Sequence, residues 1–199
     1  MDADDRPAKM FVAVWPDRTA RQTLAALDLG HLAELRPVTP EQWHVTVRFL
    51  GGVARRRTAA LAAALDEAAR SVPGPLTCTL GPRTEWLTRH VLVVPVTGLD
   101  PLAAAIFETT RLVVAPSGGG DGGPGLGTEP FRGHLTLARS RARQPRAELR
   151  RALEGHGCAV SFTVEHVDLV ESVPVPGGRR YDTVARSPLV SSPGSPPRR

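Results

Sequence analysis

Short stretches in which apolar and polar side chains alternate are separated along the chain by longer stretches of helical composition. The clearest alternation is in EQWHVTVRFLGG (41–52), where Val45 and Val47 alternate with His44, Thr46 and Arg48. A period of two residues is typical of a strand that covers a core with one face only. The pattern predicts strands at 9–16, 41–52, 75–82, 89–96, 131–140, 159–172 and 179–189, and helices at 16–35, 53–72, 99–114 and 145–157.

The succession strand–helix–strand–helix–strand occurs twice, and each half contains one strand with an unusual polar face. In the first half this face carries His44 and Thr46. In the second half the stretch FRGHLTLARS (131–140) repeats the arrangement with His134 and Thr136. The chain is therefore expected to consist of two similar halves.

Composition adds charge to this picture. The formal net charge is +5, the isoelectric point is about 10.4, and all but one of the 25 basic residues are arginine. Arginine suits bidentate contacts with phosphate, although a GC-rich genome would favour arginine codons in the same way. The charge permits an anionic partner without requiring one.

The cysteines and the ends of the chain bear on its compartment. Cys78 and Cys158 lie in strand-like stretches and are expected to be buried free thiols in a reducing compartment. The acidic start resembles no signal peptide, and no apolar stretch approaches the roughly 20 residues of a membrane span. We therefore expect a soluble, cytoplasmic protein with no membrane partner. The Gly-rich segment 115–130 is predicted to be a flexible loop, and the Pro/Ser-rich segment 190–199 a disordered tail.

The repeated polar faces indicate acid–base chemistry at phosphorus. In a strand, residues i and i+2 point the same way, so His44 shares a face with Thr46, and His134 with Thr136. If the halves pack together, a neutral imidazole can take a proton from water while an imidazolium gives one to the departing oxygen. The hydroxyls can donate to the non-bridging phosphoryl oxygens. This arrangement requires no metal.

A single His-x-Thr in a strand is more often surface decoration than a site, and the second copy at the same place in the repeat favours function. The remaining four histidines show no metal-ligand spacing. Trp43 and Trp86 could stack on a base, but packing in the core or at its rim is the favoured explanation for both.

These paired motifs resemble those of the 2H phosphoesterase superfamily, which is defined by two His-x-Thr/Ser motifs. Within it the chain looks most like the bacterial and archaeal RNA 2′,3′-cyclic phosphodiesterases, also called 2′-5′ RNA ligases. The resemblance extends over most of the chain, in MFVAVWP, WHVTVRFLG, FRGHLTLAR and VDLVESVPVPGGRRYDTVARSPL.

The resemblance implies an α+β fold with two pseudo-symmetric lobes, each an antiparallel sheet backed by helices, in one domain spanning 1–189. It also implies hydrolysis of a terminal 2′,3′-cyclic phosphate of RNA to a 2′-phosphate, without metal or other cofactor. By similarity, His44 is the acid toward the ribose 3′ oxygen, His134 activates water, and Thr46 and Thr136 bind the phosphate. The expected partners are RNA ends or small cyclic nucleotides, and the expected state is a monomer.

Two arginines and one glycine extend or depart from the family pattern. The family often has an arginine after the second motif, where Arg139 stands. Simple alternation puts Arg139 on the apolar face of its strand, and only a bulge or a strand end would turn it toward the phosphate. Arg48 has the parity of His44, so both arginines are predicted to bind phosphate. Gly133 stands where the family usually has proline.

Two other functions are open at this point. One is a phosphodiesterase that acts on another small cyclic or 2′-5′-linked nucleotide. The other is a non-catalytic RNA-binding module that uses the same basic cleft. Reversible 2′-5′ RNA ligation would be a second activity of the leading hypothesis.

Overall fold

The computed structural model describes residues 7–29, 35–114, 131–140 and 147–190. In these ranges the helices are α1 (Arg18–Ala25), α2 (Thr58–Ser71), α3 (Asp100–Thr110) and α4 (Ala147–Leu153), and short 3-10 turns span Pro40–Gln42 and Arg55–Arg57. The strands are β1 (Pro7–Val14), β2 (Leu35–Pro37), β3 (Val45–Ala54), β4 (Leu76–Leu80), β5 (Glu85–Thr88), β6 (Val91–Thr97), β7 (His134–Ser140), β8 (Val160–Val164), β9 (His166–Val175) and β10 (Gly178–Pro188).

The strands form one curled antiparallel sheet in the order β10-β9-β1-β3-β7-β6-β4-β8, with β2 added to β7 and β5 added to β6. We call β10, β9, β1 and β3 the first lobe, and β7, β6, β4 and β8, with β2 and β5, the second lobe. The lobes join where β3 meets β7, and the pairing there is registered at Val45 and Leu135. The predicted two-lobed α+β fold is confirmed.

Helices and strands are exchanged between the two sequence halves. Helix α1 follows β1 of the first lobe but packs against β8 of the second, whereas α3 follows β6 of the second lobe but packs against β3 and α2 of the first. Helix α2 also packs against β9 and β10. It buries Leu61, Leu65 and Ala68, which lie three and four residues apart and so form one apolar face. The sequence halves are therefore not the lobes.

The predicted single strand over 159–172 is wrong: it is two strands, β8 and β9, separated by Glu165. Strand β8 pairs with β4 of the second lobe, and β9 pairs with β1 and β10 of the first. Glu165 is exposed, and no glycine or proline interrupts the alternation. The chain crosses between lobes there because the partners of its two halves lie in different lobes.

Several other predictions differ in detail. The sequence missed β2 and β5, and the helix predicted over 16–35 ends at Ala25 within the described residues. The loop predicted at 115–130 and the tail predicted at 190–199, apart from Val190, lie outside the described residues. Among the helices that the structure describes, none is both long and apolar enough to cross a membrane.

Candidate active site

The two His-x-Thr motifs lie side by side where the lobes join. Val45 and Leu135 are paired across β3 and β7, and both side chains are fully buried. The neighbours of these two residues in each motif, His44 and Thr46 with His134 and Thr136, are only partly buried. Since neighbours in a strand point to opposite faces, these four side chains share one face, which we call the cleft face.

The antiparallel register sets which motif residues meet. With Val45 opposite Leu135, His44 lies on the side of Thr136, and Thr46 on the side of His134. The two histidines are then diagonal neighbours, which in antiparallel sheets are about 7–8 Å apart. The charge of His134 is close enough to lower the pKa of His44. Each imidazole thus faces the other motif across a pseudo-two-fold axis through the Val45–Leu135 pair.

Both imidazoles are held in the same way by backbone carbonyls. Nδ1 of His44 donates to the carbonyl oxygen of Gln42 at 2.6 Å, and Nδ1 of His134 donates to that of Arg132 at 2.9 Å. A carbonyl oxygen only accepts, so Nδ1 carries the proton in each neutral ring. In both rings Nε2 is therefore the nitrogen that can exchange a proton with a substrate.

His44 sits among three aromatic rings supplied by two segments of the chain, one in and just after β1 and the other in β10. Its ring centroid is 5.0 Å from that of Phe11, 5.4 Å from Trp15 and 5.0 Å from Tyr181. Trp15 is itself held because its Nε1 donates to the buried carboxylate of Asp168 at 3.0 Å. These contacts give His44 an apolar surrounding and a fixed ring position.

Burial decides the protonation of both histidines in the free protein. It lowers the pKa of His44 to about 4, outweighing the hydrogen bond to Gln42, and the charges of His134 and Arg139 lower it further. Burial also lowers the pKa of His134, with smaller contributions in the same direction from Arg132 and Arg139. Both rings are therefore mainly neutral at pH 7.

The prediction that Arg48 lies on the cleft face is wrong. Arg48 pairs with Val12 of β1, and the next registered pair is Thr46 with Ala13, which leaves Val47 as an extra residue. This bulge reverses the alternation. Arg48 consequently turns to the helix-covered face, where its Nη1 donates to the carbonyl oxygen of Phe107 at 2.6 Å.

Arg48 caps the end of α3 there. Nη1 also donates to Thr110 Oγ1 at 2.6 Å, and the guanidinium carbon lies 4.4 Å from the centroid of the Phe107 ring. A cation beside the last carbonyls of a helix opposes the negative end of its dipole. The residue is thus placed to stabilise the first lobe rather than to bind substrate.

Replacing Arg48 with methionine is expected to lower the free energy of unfolding by about 1.5–3 kcal/mol, the usual contribution of a hydrogen bond to a charged group. The turnover of folded protein should stay within about threefold of wild type, because the variant removes no group from the cleft face. Denaturant titration and steady-state kinetics check the two parts. Unchanged stability with a large loss of kcat would restore a role for Arg48 in the site.

Arg139 does lie on the cleft face, again because of a bulge. Thr136 pairs with Val93 of β6, while Ala138 pairs with the preceding Leu92, so Leu137 is an extra residue. Leu137 and Ala138 are both buried, and the exposed Arg139 follows with reversed parity. Its charge lowers the pKa of both His44 and His134. A phosphate-binding role for Arg139 stays a prediction.

The two bulges give the motifs different outer residues. The fifth residue after His134 is Arg139, and the fifth after His44 is Phe49, whose ring stacks on Phe11 at 5.9 Å. The cleft face is therefore cationic on the second lobe and aromatic on the first. Sequence reasoning missed Phe11 because it lies in β1, whose residues are apolar on both faces.

Trp43, Trp86 and Gly133 have packing roles in the structure. Both tryptophans are buried in the core, and Nε1 of Trp86 donates to the carbonyl oxygen of Arg150 at 3.1 Å. A Cβ at Gly133 would lie 2.6 Å from the carbonyl oxygen of Val96. Glycine at 133 thus lets the start of β7 approach β6 more closely than any larger residue could.

No group of three or more His, Cys, Asp or Glu side chains in the described part of the chain is arranged to hold a metal ion. The chemically active groups of the cleft face are imidazole, hydroxyl and guanidinium groups instead.

Comparisons with known proteins agree with this geometry. A family model described as LigT like Phosphoesterase matches residues 14–78, which contain the first motif. The fold matches the crystal structure of TT0787 of Thermus thermophilus with 26% identity and a TM-score of 0.74, over 92% of this chain and 98% of that one. It matches E. coli LigT in apo form with 24% identity and a TM-score of 0.63, over 94% and 99%. E. coli LigT complexed with 3′-AMP matches with 22% identity and a TM-score of 0.64, over the same shares. No curated protein sequence matches the chain.

In this chain, one histidine motif from each lobe lies where the two halves of the curled antiparallel sheet meet. The match of residues 14–78 to the family model, together with the fold match over 92% of the chain, makes this chain similar to LigT-like phosphoesterases.

Proposed function

We propose that the protein hydrolyses the terminal 2′,3′-cyclic phosphate of RNA to a 2′-phosphate, without a metal ion. The observation that carries this proposal is the pair of imidazoles on the cleft face, each with Nδ1 on a carbonyl oxygen and Nε2 able to exchange a proton. Acid and base placed on either side of one phosphorus suit a displacement in which water enters as an alkoxide leaves.

The proposed step moves one proton at each end of the reaction. Nε2 of His134 takes a proton from water as the water oxygen bonds to phosphorus. The bond from phosphorus to the ribose 3′ oxygen breaks, and Nε2 of His44 gives that oxygen a proton. The product carries a 2′-phosphate and a free 3′ hydroxyl, and proton exchange with solvent restores both rings.

The acid role of His44 requires a proton that the ring mostly lacks in the free protein. Its pKa of about 4 follows mainly from burial, and the charge of Arg139 and the charge that His134 carries when protonated lower it further. A bound phosphodiester carries a negative charge, which favours the imidazolium and raises the pKa of both histidines. In this proposal His44 therefore gains its proton in the complex with substrate.

The remaining residues of the cleft face would hold the phosphoryl oxygens. Thr46 and Thr136 each carry a hydroxyl donor beside the histidine of the other motif. Arg139 supplies a fixed positive charge that already acts on both rings. Donors that are in place before the reaction stabilise charge as it develops on the phosphoryl group. The arrangement has the groups that the reaction needs without a Lewis acid.

The 3′-AMP in the E. coli LigT crystal structure supports a nucleotide with a ribose phosphate as the substrate class. The second candidate substrate is a small cyclic or 2′-5′-linked nucleotide, which would use the same two imidazoles. A non-catalytic RNA-binding module is disfavoured by the matched arrangement of the two imidazoles, because binding alone does not require two oriented Nε2 atoms.

A substrate panel in EDTA tests the proposal. Wild-type protein should hydrolyse an oligonucleotide with a 2′,3′-cyclic phosphate, and the rate should not depend on added Mg²⁺ or Zn²⁺. A rate that EDTA abolishes would contradict the metal-independent mechanism. Hydrolysis confined to 2′-5′-linked dinucleotides would favour the second candidate, and RNA binding without turnover of any compound would favour the third.

A further inference from the structure

Arg36 lies beside Arg139 on the cleft face, although the two residues are far apart in the sequence. Strand β2 pairs antiparallel with β7 so that Arg36 is directly opposite Arg139. Directly opposite residues of an antiparallel pair point to the same face, and both side chains are exposed. The second lobe therefore presents two guanidinium groups next to the histidines.

This pairing is unfavourable in the free protein. Like charges directly opposite each other in a sheet are destabilising. Among the described residues, no carboxylate forms an ion pair with Arg36 or Arg139, whereas five other arginines do have such partners. An anion bound between the two guanidinium groups would remove the repulsion and gain bidentate hydrogen bonds.

A contact with the other lobe fixes the position of Arg36. Its Nη2 donates to the carbonyl oxygen of Gly177, in the turn between β9 and β10 of the first lobe. A Cβ on Gly178 would lie 3.3 Å from the same nitrogen. Arg36 thus spans from the second lobe to the first, and its guanidinium retains further N–H donors for a ligand.

The two arginines differ in their distance from the reacting centre. Of these two arginines, only Arg139 contributes to lowering the pKa of both His44 and His134. Arg36 belongs to the outer strand β2, on the far side of β7 from β6. The pair therefore leads outward from the histidines, which is the direction that a substrate chain longer than one nucleotide would need.

We propose that Arg36 and Arg139 form a paired-arginine subsite for the phosphodiester next to the terminal cyclic phosphate. Arg139 would contact both phosphates, and Arg36 only the outer one. This inference rests on the proposed function and makes it more specific, because the preferred substrate is then an oligonucleotide end rather than a mononucleotide. Arg36 acts here as a specificity-determining residue.

The test compares a nucleoside 2′,3′-cyclic phosphate with a dinucleotide that ends in the same cyclic phosphate. Wild type should have the lower KM for the dinucleotide. Arg36→Gln should raise that KM by about 10-fold or more, as expected for a lost charge-assisted hydrogen bond. It should leave kcat and the KM for the mononucleotide within about twofold of wild type, and Arg36→Lys should recover part of the loss.

Arg111→Gln is the matched control, since Arg111 is exposed at the end of α3, away from the cleft face, and pairs with Glu108. It should change neither KM. Equal wild-type KM values for the two compounds, or an equal rise for both in Arg36→Gln, would overturn the subsite while the proposed function stands. If wild type hydrolyses neither compound, the proposed function fails, and calorimetric titration of wild type and Arg36→Gln with both compounds then decides the subsite. No Arg36-dependent preference for the dinucleotide in that titration would overturn it.

Discussion

His134→Ala and His44→Ala should each reduce kcat for the cyclic phosphate by about three orders of magnitude, since a positioned acid or base contributes about 10²–10⁴-fold. The double variant should be scarcely worse than either single one, because groups that act on one displacement as a unit are strongly non-additive. Steady-state kinetics of the two single variants and the double variant measure both statements. Each loss should appear in kcat more than in KM, since the imidazoles act on protons that move only during the reaction.

Two controls separate chemistry from folding in this series. His90→Ala removes an exposed histidine near the end of β5, outside the cleft face, and should keep full activity. Melting curves should show that the active-site variants are folded, which matters for His44 because its ring packs against Phe11 and Tyr181. Full activity in either folded active-site variant would contradict acid–base catalysis by two histidines.

Arg139→Gln should have the second-largest effect, a loss of about 10²–10³-fold in kcat/KM, typical of removing one donor to a developing oxyanion. It should also move the pH profile. Both histidine pKa values lie below 6.5 in the free protein, and the charge of Arg139 contributes to lowering each. The bell-shaped profile of wild-type kcat/KM should therefore have its maximum on the acid side of pH 6.5.

The direction of the change in Arg139→Gln follows from the sign of the charge. Without the guanidinium, the imidazolium forms are less disfavoured, both pKa values rise, and the maximum moves to higher pH. Arg139→Lys keeps the charge and should leave the maximum near its wild-type position, while losing the bidentate contact. A loss of activity with an unmoved profile in Arg139→Gln would place Arg139 outside electrostatic contact with the histidines. The two macroscopic values belong to the coupled pair of histidines rather than to either ring alone.

The shared face of the two His-x-Thr motifs could be predicted from sequence because it depends on the shortest rule of strand structure, the period of two residues. His44 and Thr46, like His134 and Thr136, are two residues apart, and no bulge falls between them in the structure. The repeat then indicated that the two faces belong together. The two faces come together because β3 lies beside β7 in the structure.

The arginines show where that rule ends. Strict alternation predicts the wrong face for Arg48, because Val47 is an extra residue in β3. A similar bulge at Leu137 turns Arg139 to the cleft face, where simple alternation would not place it. Bulges depend on the pairing of neighbouring strands, so a single strand's pattern contains no signal for them.

Other features depend on contacts between segments that are distant in sequence. Nothing in the alternation around Glu165 shows that the two sides of it pair with different lobes. Arg36 gains its place beside Arg139 only through the short strand β2, which the sequence pattern did not reveal. The aromatic surrounding of His44 comes from β1 and β10, near opposite ends of the chain.

Product analysis of a cyclic-phosphate-ended RNA shows which ribose oxygen leaves the phosphorus. An oligonucleotide with a labelled phosphate at its 2′,3′-cyclic end is incubated with wild-type protein in EDTA, and the position of the phosphate in the product is determined. The expected product has a 2′-phosphate and a free 3′ hydroxyl, and His44→Ala and His134→Ala should each reduce its rate of formation by about three orders of magnitude. A 3′-phosphate would reverse the assigned leaving group, and an unchanged cyclic end would contradict the proposed function.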